Sequence, residues 1–305
     1  MGSRALIDAQ LIRHPGGDLG WLERAGQRIA STAAEAVRAM QPARLELACD
    51  DHPLLGSLQG VDRPPVVKDP FLFVMRLVAR STGQTIATVV NWSDHPEVFG
   101  RRNTQITSDY PHWVRAYLEK RFGGTALFFG GSIGKLSPLG DQVSLLDPGT
   151  GKIAEDGTWR KAELLGTEIG RLAERALKSA EPINLDSLSI QTEIVFVPMH
   201  NSPFRAAEAV GVFAGRKPLY TNGQLDPATE ERDLPDVGRV KYPTGRQFIL
   251  GLGNDEIGYL IPKAEWDEEP PWLMNAAKPW YGEINSSGPD AAGAILRALV
   301  ALIRP

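Results

Sequence analysis

The chain has 305 residues, of which 42% are hydrophobic and 23% are charged, and its formal net charge is -4. This composition is ordinary for a globular protein. The acidic balance gives no electrostatic reason to expect nucleic-acid binding, which usually requires a basic face, so we expect no nucleic-acid partner. The single cysteine, Cys49, excludes an intrachain disulfide and a cysteine-based zinc cluster.

The chain shows no segment that directs it to a membrane. No apolar run approaches the roughly 20 residues that span a bilayer, and the first residues, MGSRALIDAQLIRH, lack the apolar core of a signal peptide. We therefore expect a soluble protein with no transmembrane segment, cytoplasmic if the chain is complete. The sequence leaves the compartment and the oligomeric state undetermined.

The first half of the chain predicts two helices and three strands. Apolar residues recur at three- and four-residue spacings from Asp18 to about Met40 and indicate an amphipathic helix that Pro42 ends. The segments RLELA, DPFLFVMRLVAR and TIATVVNW predict strands, and the last two form a hairpin or a neighbouring pair. In SDYPHWVRAYLEKRFGG, Ser108 or Asp109 caps a second helix and Gly123-Gly124 ends it.

The second half continues the alternation of strands and helices. TALFFG predicts a short buried strand, and Gly130 to Gly157 forms a long loop of the kind that often carries function. WRKAELLGTEIGRLAERALKSA and PDAAGAILRALVALI predict helices, LSIQTEIVFVP, RQFILGLG and IGYLIP predict strands, and EWDEEPPW predicts a loop. Residues 217–245 show no regular pattern. We expect an α/β fold, with a mixed β-sheet flanked by helices in one domain over residues 1–305.

The stretch TALFFGGSIGKLSPLG fits two catalytic motifs incompletely. A phosphate-binding P-loop needs four residues between the first glycine and Gly-Lys, but Gly130 to Gly134 leaves three, and Leu136 stands where a hydroxyl residue belongs. A serine nucleophile elbow matches the spacing around Ser132, but Pro138 interrupts the helix that should follow. A tight glycine turn behind a core strand is the plain structural alternative.

A longer comparison gives a third interpretation of that loop. NWSDHPEVFGRRNTQITSDYPHWVRAYLEKRFGGTALFFGGSIGKLSP resembles the core of the neutral (non-lysosomal) ceramidase family. In that family a His-Pro step at a strand end, an Asn-rich loop, a Ser-Asp pair before a helix and a glycine/serine loop follow in this order. A second block, FILGLGNDEIGYLIPKAEWDEEPPW followed by YGEINSSGPDAA, is similar to the end of the family's catalytic domain. Shared order and spacing carry the resemblance, which spans much of Ile86 to Ala292.

The resemblance implies a zinc hydrolase that cleaves the amide bond of ceramide or another small-molecule N-acyl or lipid substrate. A zinc ion with an open position lowers the pKa of its bound water to about 7 and polarises a carbonyl. By the resemblance, His95 is a zinc ligand, and Gly131 and Ser132 lie at the scissile carbonyl. There Ser132 orients water or donates to the developing oxyanion. A capped strand end and a solvent-facing loop serine are the structural alternatives for His95 and Ser132.

The sequence also departs from the family. Neither His14 nor His52 fits the family's N-terminal His-x-His zinc motif, and its Pro-Gly-Glu has no counterpart before FILGLGN. Ser287 stands where the family has a zinc tyrosine, and Lys135 replaces an aspartate after the last loop glycine. Two hypotheses therefore stand. The chain is an active ceramidase-like hydrolase, or it is a catalytically degenerate or truncated relative that binds a ligand or partner without cleavage.

Several other side chains are weaker candidates for a metal or substrate site, and each also has an ordinary structural explanation. They are Asp94 and Glu97 beside His95, the helix residue His112, the loop residue His200, the acidic residues interleaved with Trp266, and Glu283.

Overall fold

The computed structural model describes residues 19–61, 63, 65–184, 195, 197–209, 258–272 and 280–303, together with 220–221, 224–225, 240–241, 247–248, 251 and 277. Contacts within the chain divide it into two compact units. The sheet unit comprises Pro42–Ile190 and Gly238–Gly253, and the terminal unit comprises Met1–Gln41, Gln191–Val237 and Asn254–Pro305. The single domain expected over residues 1–305 stays a prediction.

Helices and strands alternate along the described residues. The helices are α1 (Leu19–Arg38), α2 (Pro53–Ser57), α3 (Tyr110–Phe122), α4 (Trp159–Leu177), α5 (Ser202–Ala209), α6 (Tyr281–Ile284) and α7 (Ala291–Ile303). The strands are β1 (Ala43–Asp50), β2 (Gly60–Val61), β3 (Leu72–Ala79), β4 (Thr85–Trp92), β5 (Thr125–Gly130), β6 (Leu136–Ser137), β7 (Leu146–Asp147), β8 (Lys152–Ile153), β9 (Glu181–Ile183), β10 (Tyr220–Thr221), β11 (Gln224–Leu225), β12 (Val240–Lys241) and β13 (Gln247–Phe248).

The sheet unit is built on a five-stranded sheet in the order β5-β4-β3-β1-β9. β1 pairs antiparallel with β3 and β9, β3 pairs antiparallel with β4, and β4 pairs parallel with β5. A parallel pair needs a crossover connection, and α3 supplies it between β4 and β5. The fold is therefore α/β with a mixed sheet and flanking helices, which confirms the predicted fold class.

The hydrophobic core lies between the sheet and the helices α3 and α4. Alternate residues of the strands, among them Val74, Val90 and Trp92, are fully buried against apolar side chains of the two helices. The helices approach closely because α4 has Gly166 and Gly170 on the contact face. A methyl group on Gly166 would overlap the Tyr110 carbonyl oxygen, and one on Gly170 would lie 2.8 Å from the Tyr117 ring.

The strand β5 lies at the edge of the sheet, and the prediction that it is buried was wrong. Leu127 and Phe129 are 42% and 41% exposed, whereas Ala126 on the opposite face is buried against the helices. An apolar run predicts a strand, but its two faces acquire different neighbours only when the sheet is assembled. β5 therefore has one covered and one exposed face.

The other predicted segments agree with the structure only in part. The loop from Gly130 to Gly157 contains the two-residue strands β6, β7 and β8, so it is not wholly irregular. The predicted strand IGYLIP was wrong, because among its described residues, 258–262, only Gly258 makes a bridge, an isolated one to Ser286. Most of LSIQTEIVFVP, of RQFILGLG and of the segment 217–245 lies outside the described residues.

The terminal unit contains α1 and α7, close to where the sequence predicts them. Within this unit the backbone N–H of His200 donates to the carbonyl oxygen of Ser287 at 2.8 Å, and the Asn201 side chain donates to that of Ser286 at 2.8 Å. These bonds fix the chain before α5 to the turn before α7. No helix among the described residues combines the length and apolar composition that crossing a membrane requires.

Candidate functional site

The carboxyl ends of β4 and β5 meet at one edge of the sheet, because the two strands are parallel and Trp92 pairs with Gly130. The segments that follow them, residues 93–99 and 131–137, are joined by backbone hydrogen bonds. The N–H of Gly131 donates to the Trp92 carbonyl oxygen at 3.0 Å, and the N–H of His95 donates to that of Leu136 at 3.0 Å. The structure thus brings the segments of His95 and Ser132 together at the edge where α/β proteins commonly bind ligands.

A hydrogen-bond network, which we call the strand-end network, fixes these segments and comprises Gln59, Asp69, Ser93 and Ser132. The Ser93 hydroxyl donates to Asp69 Oδ2 at 2.6 Å and accepts from the Ser132 N–H at 3.0 Å. Gln59 Nε2 donates to the carbonyl oxygens of Asp69, at 2.7 Å, and of Ser93. Ser93 and Gln59 are almost completely buried, whereas Asp69 is partly buried and Ser132 is exposed. The bonds at Ser93 and Gln59 are therefore largely shielded from water and hold the loop in one position.

Gly131 is the point of closest packing in this network. A methyl group at its position would overlap the Ser93 hydroxyl oxygen, so only glycine fits without displacing that group. The N–H groups of Gly131 and Ser132 are both used in the internal bonds described above. The carbonyl-facing role expected for this loop therefore depends on the exposed Ser132 hydroxyl, which makes no hydrogen bond within the described residues.

His95 is partly buried at the end of β4. Protein zinc sites take three or four ligands from histidine, cysteine and carboxylate side chains. Among the residues that the structure describes, no group of three such side chains is placed to hold a metal ion. The described residues, His95 included, do not compose a zinc site by themselves.

Asp109 connects the loop after β4 to the start of α3. Its Oδ1 accepts from the N–H of Tyr110 at 2.6 Å as the helix cap, and its Oδ2 accepts from the N–H of Phe99 at 3.2 Å. Burial raises the pKa of the Asp109 carboxyl, which outweighs the opposing effect of these hydrogen bonds. Its φ of 55° lies in the left-handed region, which aspartate tolerates better than most residues.

Two clefts open beside the loop that follows His95. The larger, of about 800 Å³, is lined by residues 99–105 together with Leu139, Asp156, Gly157 and Trp159. The smaller, of about 410 Å³, shares Phe99 and Arg101 with the larger and extends to Pro96, the residue after His95. Open volume therefore lies next to the strand end that carries His95.

The remaining candidates are dispersed. Asp94 is completely buried, and its carbonyl oxygen accepts from the Tyr110 hydroxyl at 2.9 Å, while His112 is exposed and packs edge-on against Trp113. In the terminal unit, His200 Nε2 lies 3.4 Å from a carboxylate oxygen of Asp290. Also in that unit, Glu283 is buried and accepts from the N–H of Asp267 at 3.1 Å, and Ser287 is completely buried.

Sequence reasoning missed the polar residues that position the loop. Gln59, Asp69 and Ser93 belong to no motif. Ser93 is 24 residues from Asp69 and 39 residues from Ser132 in the chain, so no local pattern predicts their contacts. The one available signal was a serine directly before Asp94-His95-Pro96 at the end of a strand.

Comparison of the chain with known proteins finds weak similarity to solved structures alone. No protein-family model matches the chain, and none of the curated proteins matches it. Among solved structures it is similar to the neutral ceramidase from Pseudomonas aeruginosa, with 20% identity and a TM-score of 0.38 over 51% of this chain and 26% of that one. It is also similar to a ceramidase complexed with C2, with 16% identity and a TM-score of 0.41 over 76% of this chain and 35% of that one.

The chain thus matches 26% and 35% of the lengths of these two solved ceramidases. Likenesses of this size assign neither a residue role nor an activity to it.

Proposed function

We propose that this chain is a ceramidase-like hydrolase that cleaves the amide bond of ceramide or another N-acyl compound at the carboxyl edge of β4 and β5. One observation supports it most. The two segments that carry the sequence resemblance, around His95 and around Ser132, are bonded to each other through Ser93 and through the Leu136 carbonyl oxygen. Segments that form one site must meet in the folded chain, and these do.

In this proposal the Ser132 hydroxyl donates a hydrogen bond to the carbonyl oxygen of the scissile amide. Charge develops on that oxygen as the tetrahedral intermediate forms, and a donor already fixed in place stabilises it without reorganising. The strand-end network supplies the fixed position, because the Ser132 N–H is held by the buried Ser93 hydroxyl.

His95 is the proposed metal ligand. Since a zinc site needs at least three protein ligands, and the described residues do not compose one, the zinc content of the purified protein is a direct test of this part of the proposal.

A second candidate function is binding without cleavage by a degenerate relative of the ceramidases. One observation favours it. The backbone N–H groups of Gly131 and Ser132 are both consumed by internal hydrogen bonds and cannot stabilise an oxyanion without breaking them. The candidate centre then offers a hydroxyl donor and two neighbouring clefts, which suit a ligand as well as a reaction.

The test combines elemental analysis with an assay for fatty-acid release from C12-ceramide and N-lauroyl amides. The variants are His95→Ala and Ser132→Ala, with His112→Ala as the control because that histidine is exposed outside the site. The hydrolase proposal expects about one zinc per chain and cleavage, with zinc lost in His95→Ala and a rate about 100-fold lower in Ser132→Ala. A folded wild-type protein with no zinc and no cleavage contradicts it and leaves the binding function.

A further inference from the structure

The larger of the two clefts carries an excess of positive charge. We call it the arginine cleft, after Arg101 and Arg102 in its wall. Both side chains are exposed, and neither makes a hydrogen bond or ion pair within the part of the chain that the structure describes. Arg160, which lies next to the cleft residue Trp159 in the chain, differs because it is paired with Asp147 at 2.6 Å and Glu163 at 2.9 Å.

The carboxylate in the wall does not neutralise these arginines. Asp156 is paired with the ammonium group of Lys161, whose side chain is only 2% exposed, and it also accepts from the N–H of Gly140 at 2.8 Å. Burial alone would raise the pKa of Asp156, but the hydrogen bonds from Lys161 and Gly140 outweigh it and hold that pKa below its usual value. The negative charge of Asp156 is thus matched, and two positive charges remain unmatched in the cleft.

The cleft also has an apolar wall. The rings of Phe99 and Trp159 pack edge to face, with centroids 4.6 Å apart, and Leu139 also lines the cleft. Trp159 is 52% exposed, so much of its ring is available for contact. A volume of about 800 Å³ is within the range of small-molecule sites, which combine apolar walls with a few placed polar groups.

The arginine cleft overlaps a second cleft that lies close to His95 in the chain. Arg101 and Phe99 line both clefts, and the lining of the smaller one, which also includes Glu97 and Asp109, contains Pro96, the residue after His95. The proposed metal ligand and the two arginines therefore belong to one short stretch of chain, residues 95–102.

We infer that the arginine cleft binds the anionic group of an N-acyl ligand whose amine half carries a carboxylate, as in an N-acyl amino acid. Arg101 and Arg102 contact the anion, and the Phe99–Trp159 pair contacts the apolar part. A guanidinium group matches a carboxylate with two parallel, charge-assisted hydrogen bonds, whereas the uncharged head group of ceramide would leave both arginines without a partner. The identification as a substrate rests on the proposed function, but the binding itself does not.

The experiment measures binding by titration calorimetry with two probes that share an acyl chain, N-lauroylglycine and the uncharged N-lauroylethanolamine, both below the concentrations at which they form micelles. The wild-type chain is compared with Arg101→Ala/Arg102→Ala. The control is Lys120→Ala/Lys152→Ala, which removes two exposed positive charges that line neither cleft. Arg101→Lys/Arg102→Lys keeps the charge and removes the planar fork.

We expect the wild type to bind N-lauroylglycine at least about tenfold more tightly than the ethanolamide, as charge-assisted bonds of this kind allow. The alanine pair should lose that preference, the lysine pair should keep part of it, and the control should keep all of it. Added salt should weaken only the binding of the anion. Thermal unfolding of each variant verifies that it is folded, as these exposed positions lead us to expect.

Equal binding of the two probes by the wild type overturns the inference, and so does unchanged N-lauroylglycine binding by the alanine pair. The assay for fatty-acid release separates this result from the proposed function. Arginine-dependent binding without release keeps the cleft as an anion site and contradicts the hydrolase. Release that is equal for both probes and independent of the arginines keeps the hydrolase and contradicts the cleft.

Discussion

The segment of residues 93–105 contains polar groups of two kinds, buried ones that are hydrogen-bonded and exposed ones that are not. In the strand-end network the buried Ser93 hydroxyl both donates and accepts, and it joins Asp69 to the N–H of Ser132. In the arginine cleft, a few residues further along, Arg101 and Arg102 stand exposed without a hydrogen bond in the described structure.

The difference separates positioning from recognition. A buried polar group that is fully bonded stabilises one conformation, and removing its partner costs the desolvation of the group left behind. An exposed charge without a partner contributes little to the free energy of folding. It forms a favourable electrostatic interaction only when a ligand of opposite charge binds. We therefore expect substitutions in the network to lower the free energy of unfolding, and substitutions of the arginines to change affinity alone.

The largest expected effect belongs to Gly131→Ala. The added methyl group would displace the Ser93 hydroxyl and break its two bonds, so the free energy of unfolding should fall by about 3 kcal/mol. Urea unfolding measures the change. In the control, Gly130→Ala, the methyl group lies 3.3 Å from the Cγ2 methyl group of Ile133 and should cost less than about 1 kcal/mol. Equal stability of the two variants would contradict close packing at Gly131.

Ser93→Ala should have the next largest effect. It leaves the Asp69 carboxylate and the Ser132 N–H without their partner, and the free energy of unfolding should fall by about 2 kcal/mol. Ser144→Ala, which removes an exposed hydroxyl, is the control and should change stability by less than about 0.5 kcal/mol. A double-mutant cycle with Asp69→Ala tests the bond itself, and strictly additive effects would show that the two residues act independently.

Asp109→Ala should cost about 1 to 2 kcal/mol, because it removes the cap of α3 and the bond to the Phe99 N–H. Since burial raises the pKa of Asp109 in the folded state, its ionisation opposes folding. The stability that its protonated form provides is fully present below the unfolded pKa, near 3.8, and is lost as pH rises through the folded pKa. Asp109→Asn should lack this dependence in urea unfolding, and an unchanged pH profile would contradict the assignment.

The smallest expected effect is that of the ion pair between Asp147 and the exposed Arg160, the residue after Trp159 of the arginine cleft. The hydrogen bond from Arg160 lowers the pKa of Asp147 to about 2. The resulting stability is present above the unfolded pKa of 3.8 and is lost as pH falls toward 2, and it should be small because the pair is partly open to solvent. Asp147→Asn should remove this pH dependence of the urea-unfolding midpoint. If the wild type shows the same dependence as the variant, the pair contributes nothing measurable to stability.

Much of the fold was accessible from the sequence, because periodic patterns and capping residues indicate where helices begin and end. The spacing from Asp18 to Met40 predicted α1, although its apolar side chains, among them Ile29 and Val37, are exposed. The caps at Asp109 and Gly123 bounded α3. The burial of β5 was mispredicted because TALFFG does not encode which strands will lie beside it.

The candidate site was predictable only where residues close together in the sequence form a recognisable motif. The His-Pro step and the glycine loop drew attention to His95, Gly131 and Ser132, whose roles stay predictions. Ser93 and Asp69 act through a contact that the folded chain creates, and no local pattern marks it. Arg101 and Arg102 lie in the segment that carries the resemblance, but their interest depends on their making no ion pair within the described residues, which the sequence does not reveal.

The position of β9 has a consequence for the order of folding. It pairs with β1, so that Leu45 lies opposite Ile183, whereas β3 and β4 are joined by a short turn. Contacts between residues close in sequence form first, since closing a long loop costs more entropy before any contact repays it. We expect the β3–β4 hairpin to belong to the folding nucleus and the β1–β9 contact to form last, so a nascent chain ending before Glu181 would leave β1 open to pairing with another chain.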